Sequence, residues 1–256
     1  MKNSWDFIHI CDLQPGSSRS FRFDPRMMEN WQTALTQLSE LNADLLLVGG
    51  DLTRDGSLHD FEFEVIRSEL ESLPYPYYAI PGNMDTGNKH AGVDGATGRW
   101  DIQLSMTSNQ LDRFSHFFSP FPWSFVHKEV RFSGCYAAVA GSGLLHEEQL
   151  WQWLTDLASQ PRAKFHVFVM HYALFLDQLD EPNWDLTRQD QYTAWYFSID
   201  QPYRNRIFKA LKAAKGQSGV EWTHSLPPSS PNRRRDSILQ GCRHCHATVE
   251  RSMDRW

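Results

Sequence analysis

Six side chains able to bind metal or move protons stand just beyond short apolar runs. Asp12 and Gln14 follow Trp5 to Cys11, Asp51 follows Leu45-Leu-Leu-Val48 and two glycines, Asn83 and Asp85 follow Tyr77 to Ile80, and His171 follows Phe165 to Met170. Carboxylate, amide and imidazole together suit two divalent cations that share one carboxylate. The carboxylates offset metal charge, while amide oxygen and imidazole bind without adding to it. A water between two such ions loses a proton near neutral pH and becomes a nucleophile. The ions also offset charge that develops on a phosphoryl group. Each residue alone has a plainer reading: Gly50-Asp51 as a turn after a core strand, His171 as a structural histidine. Repetition at successive strand ends favours a site.

The elements that must place these residues follow from the pattern. Short, wholly apolar runs predict strands buried on both faces, as in a parallel sheet, whose carboxyl ends carry ligand sites in open α/β folds. Asp24-Pro25 predicts a helix start, with Met28, Trp31, Leu35 and Leu38 as its buried stripe. Ser57 to Asp60 reads as a capping box for a second helix, with Phe61, Val65, Ile66, Leu70 and Leu73 facing inward. Thr86 to Arg99 reads as a surface loop. Trp100 to Ser133 is aromatic and irregular; a flavin or sugar platform competes there with plain aromatic packing. Val130 to Ala140 supplies strands of a second sheet, Glu147 to Leu157 an amphipathic helix, Arg204 to Ala214 another helix, and Val220 to Trp222 a further strand. Trp184, Tyr192, Trp195 and Tyr196 could stack on a ring or form a packed cover over the site.

A chain of 256 residues suits one sizeable α/β domain. A formal net charge of −6 speaks against a nucleic-acid surface. There is no long apolar span for a membrane helix, and Met1 to Asp6 carries no apolar signal region, so a cytoplasmic location is expected. Cys11 and Cys135 read as reduced core residues. Nothing in the sequence sets the oligomeric state.

The ordered blocks Asp12-Leu-Gln14, Gly50-Asp51-Leu-Thr-Arg-Asp55, Gly82-Asn83-Met84-Asp85 and His171 resemble those of the calcineurin-like metallophosphoesterases, from about Trp5 to Trp222. The resemblance implies a four-layer α/β/β/α sandwich and hydrolysis of a phosphodiester or small phosphomonoester. It implies two divalent ions, manganese foremost with iron, zinc or magnesium as alternatives. It assigns Asp12 and Gln14 to the first ion, Asp51 to the bridge, and Asn83 and His171 to the second, with Asn83 and Asp85 as catalytic residues. Two departures stand out. Gln14 replaces a usual histidine; its carbonyl oxygen is a harder donor that favours manganese or magnesium over zinc. Met84 replaces the histidine that assists the leaving oxygen, and methionine donates no proton. Losing a general acid costs a factor of about 100 to 10,000. Either the substrate has a good leaving group, or another residue such as His90 helps, or the chain binds metal or a phosphorylated ligand without turnover. His90 also reads as a solvated loop histidine.

The division expected is 1–222 as the metallophosphoesterase domain and 223–256 as an atypical, irregular tail. The family's closing Gly-His-x-His block cannot be read after Val220 to Trp222. Cys242-Arg-His-Cys245-His246 has the spacing of a haem attachment or, poorly, a zinc knuckle with His244, and His224 offers a lone substitute ligand. A frameshift near Lys215 to Trp222 accounts for the tail differently. Trp222-Thr223 read one nucleotide later forces a glycine, and the next shifted codons permit His, then Ile or Thr, then His. In that case the tail is poorly ordered and each ion lacks one ligand.

Overall fold

A computed structural model describes residues 5–90, 105–186, 188–214, 220–223 and 248–250. Two sheets carry the fold. In the first, β1 (Phe7–Ile10), β2 (Leu45–Val48) and β3 (Tyr77–Ala79) run parallel in the order β3-β2-β1, with β8 (Thr248–Glu250) antiparallel on the outer side of β1. In the second, β5 (Val130–Cys135), β6 (Phe165–Met170) and β7 (Val220–Thr223) are parallel, and β4 (Trp123–His127) pairs antiparallel with β5.

Alternation along the strands builds the layers. Phe7, Leu45, Leu47, Val130, Phe132, Val167 and Val169 form one apolar cluster between the sheets. Their neighbours Ile8, Ile10, Leu46, Val48, Phe168 and Met170 join the helices instead. Those helices are α1 (Pro25–Glu40), through Trp31 and Leu38, α2 (Asp60–Glu71), through Phe63, Ile66 and Leu70, α5 (Leu145–Ser159) and α7 (Tyr203–Ala213). Helix, sheet, sheet and helix stack as the four-layer sandwich that the blocks imply. Asp24 caps α1, its side chain accepting from Arg26 N at 3.0 Å. No helix among the described residues is long and apolar enough to cross a membrane. Cys11 and Cys135 are free and buried.

Several local readings change. Ser57 does not cap α2. The cap position is His59, without a side-chain hydrogen bond, because 55–59 closes a turn in which Leu58 N and His59 N both reach Asp55 O. Phe63 fills the inward position, while Val65 and Met28 are exposed. Thr86 and Lys89 are buried rather than on a surface loop; residues 91–99 lie outside the described segments. The aromatic middle contains α4 (Ser108–Phe117), started by a Thr107–Gln110 capping box. There Phe114 packs against Phe63, Phe118 and Phe121 with ring centroids 4.9–6.1 Å apart, so these aromatics form core. His224 and the Cys242 to His246 cluster fall outside the described residues.

Candidate metal centre

The carboxyl ends of β1, β2 and β6 deliver Asp12, Asp51 and His171 to one place, with a ligand atom of each within 4.8 Å of the others. Backbone bonds lace the first two loops together: Asp12 N donates to Gly50 O at 3.0 Å and Gln14 N to Asp51 O at 3.2 Å. Asp12, Gln14 and Asp51 all adopt positive φ, at 58°, 42° and 54°. Left-handed backbone at non-glycine residues costs of order 1–3 kcal/mol and gathers where function requires it. Gly50, at φ +100°, also leaves room for the histidine: a Cβ there would lie 2.6 Å from His171 Nδ1. A Cβ at Gly82 would overlap Asp51.

His171 Nδ1 lies 3.0 Å from the Gly49 carbonyl, which fixes the proton on that nitrogen and turns Nε2 toward the oxygens. Nε2 is 3.4 Å from Asp51 Oδ1 and 3.2 Å from Asn83 Oδ1. Asn83 begins α3 (Asn83–Thr86). Its Nδ2 donates to the Tyr196 hydroxyl at 2.8 Å, and that hydroxyl donates to Asn88 Oδ1 at 3.0 Å. His171 Nε2, Asp51 Oδ1 and Asn83 Oδ1 therefore converge on one place, as a group that could hold a cation. Burial pushes the Asp51 carboxyl up to about 7, with Asp12 and Asp85 adding to the rise against the pull of His171. Burial alone would lower His171, but Asp51 and Asp12 outweigh it and raise it.

The other sequence candidates are engaged differently. Gln14 turns its amide nitrogen, not its oxygen, to Asp51, with Nε2 2.7 Å from Oδ2. Its Oε1 accepts from Arg54 at 2.9 Å. Asp85 is fully buried, and its oxygens accept from Leu52 N, Thr53 N, Thr53 Oγ1 and Gly82 N at 2.6–3.1 Å. That geometry suits holding the Asp51 turn rather than meeting a substrate. Met84 donates its backbone N–H to Asp51 Oδ1 at 2.9 Å, and its side chain is buried. His90 is half-buried, with Nε2 2.9 Å from the Met106 carbonyl.

The segment after β6 closes over this edge through α6 (Gln189–Tyr196). Trp184 bonds Ser198, and buried Trp195 bonds Asp200 and lies under Lys89 at 4.4 Å, so both read as cover. Lys89 is buried and reaches Ser198 O at 2.6 Å and Asp200 at 3.3 Å; burial lowers it to about 8. Arg54, Asn88 and the Tyr196 hydroxyl are site contacts that sequence reading left without such roles. Only the polar types of Arg54 and Asn88 inside the ordered blocks and loop hinted at them.

A family model described as calcineurin-like phosphoesterase matches residues 6–203. A probable cyclic nucleotide phosphodiesterase of Vesicomyosocius okutanii subsp. Calyptogena okutanii (strain HA) is 28% identical over 95 residues, 34% of this chain. The match spans 40% of that relative's length. Among solved structures, a purple acid phosphatase from yellow lupin (Lupinus luteus) has TM-score 0.48 at 14% identity, over 79% of this chain and 34% of that one. Phosphopantetheinyl hydrolase from Mycobacterium tuberculosis has TM-score 0.49 at 11% identity, over 98% and 97%. Membership rests on the family match, which takes in β1 to the start of α7 and all the ligand atoms above: the chain belongs to the calcineurin-like phosphoesterase family.

Proposed function

We propose that this chain hydrolyses a phosphodiester or small phosphomonoester with the help of a divalent cation, manganese foremost. The carrying observation is the convergence of His171 Nε2 on Asp51 Oδ1 and Asn83 Oδ1, at 3.4 and 3.2 Å, beside Asp12. Asp12, Asp51, Asn83 and His171 would hold the cation. When bound, it would activate water and offset charge on the phosphoryl group. The chain's own part is orientation: Gly49 O sets the imidazole, Tyr196 sets the Asn83 amide, and Asp85 holds the turn that carries Asp51. No proton donor stands at Met84, so the substrate class is one whose leaving group departs without a proton.

Purified protein assayed with bis-p-nitrophenyl phosphate and p-nitrophenyl phosphate, with and without manganese, tests this. Manganese-dependent release of nitrophenol is the expected result. Bound manganese with no turnover of either ester would support the second reading, a non-catalytic family member that binds metal or a phosphorylated ligand, which the residues at Gln14 and Met84 favour.

A further inference from the structure

The Asp51 carboxylate meets two different neighbours. On one side stand the acceptors of His171 and Asn83; on the other stands the Gln14 amide group, donating from Nε2 to Oδ2 at 2.7 Å. The identity of that end is fixed by Arg54. A guanidinium only donates, so the Gln14 atom 2.9 Å from Arg54 must be the carbonyl oxygen. For Gln14 to ligate an ion shared with Asp51, its amide would have to turn over, and the NH2 would then face the Arg54 donors.

Arg54 is not free to withdraw. Its Nε donates to Arg22 O at 2.8 Å, and its backbone N–H donates to the buried Glu62 at 2.8 Å. Arg22 in turn donates to Asp55 from its backbone N–H at 2.9 Å and from Nε at 2.6 Å. A Cβ on Gly16 would come within 2.9 Å of Arg54 Cβ, so the loop packs close against the base of that side chain.

Charge points the same way. The acceptor cluster contains two carboxylates, Asp12 and Asp51. One divalent cation neutralises both. A second would leave an excess of positive charge in a largely buried site, beside a guanidinium that is always charged.

We propose that this chain holds a single divalent cation, at the Asp12, Asp51, Asn83 and His171 position, and that the Gln14–Arg54 pair occupies the place of the second. The proposal rests on reading the site as a metal centre. The arginine holds its positive charge against the Gln14 carbonyl oxygen, one amide group away from Asp51.

The test is stoichiometry in the full chain. Metal-depleted protein is titrated with manganese, bound metal is counted per chain, and the electron paramagnetic resonance spectrum of the bound ion is recorded. One equivalent with an uncoupled manganese spectrum is expected. Two equivalents, or an exchange-coupled pair spectrum, would overturn the single-ion proposal and leave the metal-centre reading standing. No bound manganese would overturn both. A Gln14→His, Arg54→Ala double variant supplies an imidazole and removes the cation, and it should take up a second equivalent. If it folds, binds one ion and never a second, the role given to the pair is wrong.

Discussion

The Tyr196 hydroxyl gives its proton to Asn88 Oδ1 at 3.0 Å and accepts from Asn83 Nδ2 at 2.8 Å, which turns the oxygen of that amide toward His171. Tyr196 and Asn83 are 113 positions apart in the chain, yet the contact leaves Asn83 Oδ1 as the atom on the ligand side. Tyr196→Phe keeps the ring and removes the hydroxyl. Partners that orient metal ligands are worth about 10- to 100-fold in metal affinity, and that loss is expected in manganese titration, with the melting temperature of the metal-free protein nearly unchanged. Unchanged affinity would mean that the hydroxyl does not orient the amide.

Asp51 and Asp55 lie in one loop and should fail in different ways. Asp51 is a buried carboxyl lifted to about 7, so it burdens the metal-free fold at neutral pH. Asp51→Asn should abolish manganese binding while metal-free stability holds or rises. Asp55 is buried against Arg22, accepting from its backbone N–H and Nε. Asp55→Asn should lower stability by about 1–3 kcal/mol and leave the ion-binding count intact. Parallel denaturant melts and metal titrations of the two variants check the contrast.

Leaving-group dependence tests the Met84 position. With no proton donor there, rates for a series of aryl phosphodiesters should fall steeply as the leaving phenol becomes more basic. Met84→His should flatten that slope and help the poorest leaving groups most, within the factor of about 100 to 10,000 associated with general acids. An identical slope in both proteins would place the histidine out of reach of the leaving oxygen.

His166 offers a pH prediction away from the site. It is buried, with Nδ1 2.9 Å from Ala214 O and Nε2 2.8 Å from Ser133 Oγ, and burial lowers it to about 4 from 6.5. Between those values the unfolded chain binds the proton and the folded chain does not. The group's stabilising contribution is therefore whole above about 6.5 and is lost as pH falls toward 4, by about 3 kcal/mol at most. His166→Gln should flatten the fall in stability between pH 6.5 and 4. A wild-type slope in that variant would assign the acid sensitivity to other groups.

The strand ends were legible because each is a local signal: an apolar run, then a carboxylate, Gly, Pro or, after β6, His171 itself. Hence Asp12, Asp51, Asn83 and His171 could be brought together on paper. The Gln14–Arg54 and Asn83–Tyr196 contacts span 40 and 113 positions, and no local pattern encodes them. The α2 face misled because Phe61 and Val65 repeat at helical spacing beside the true stripe of Phe63, Ile66 and Leu70. For α4 the cue is present in Thr107 and Gln110, three positions apart, but the dense aromatics nearby mask the helical period. The bonds from Leu52 N and Thr53 N to Asp85 span 33 and 32 positions, and only tertiary packing brings them together.

Asp12 and Asp51 extend from the first sheet, and His171 from the second. An ion gripped by all three would act as a rivet through the sandwich. The registry of one sheet over the other then becomes a determinant of affinity, set far from the ion by Phe7, Leu45, Phe132 and Val167 in the layer between them. Loosening that distant layer would slacken the grip, and filling the rivet hole would stiffen the whole sandwich against unfolding.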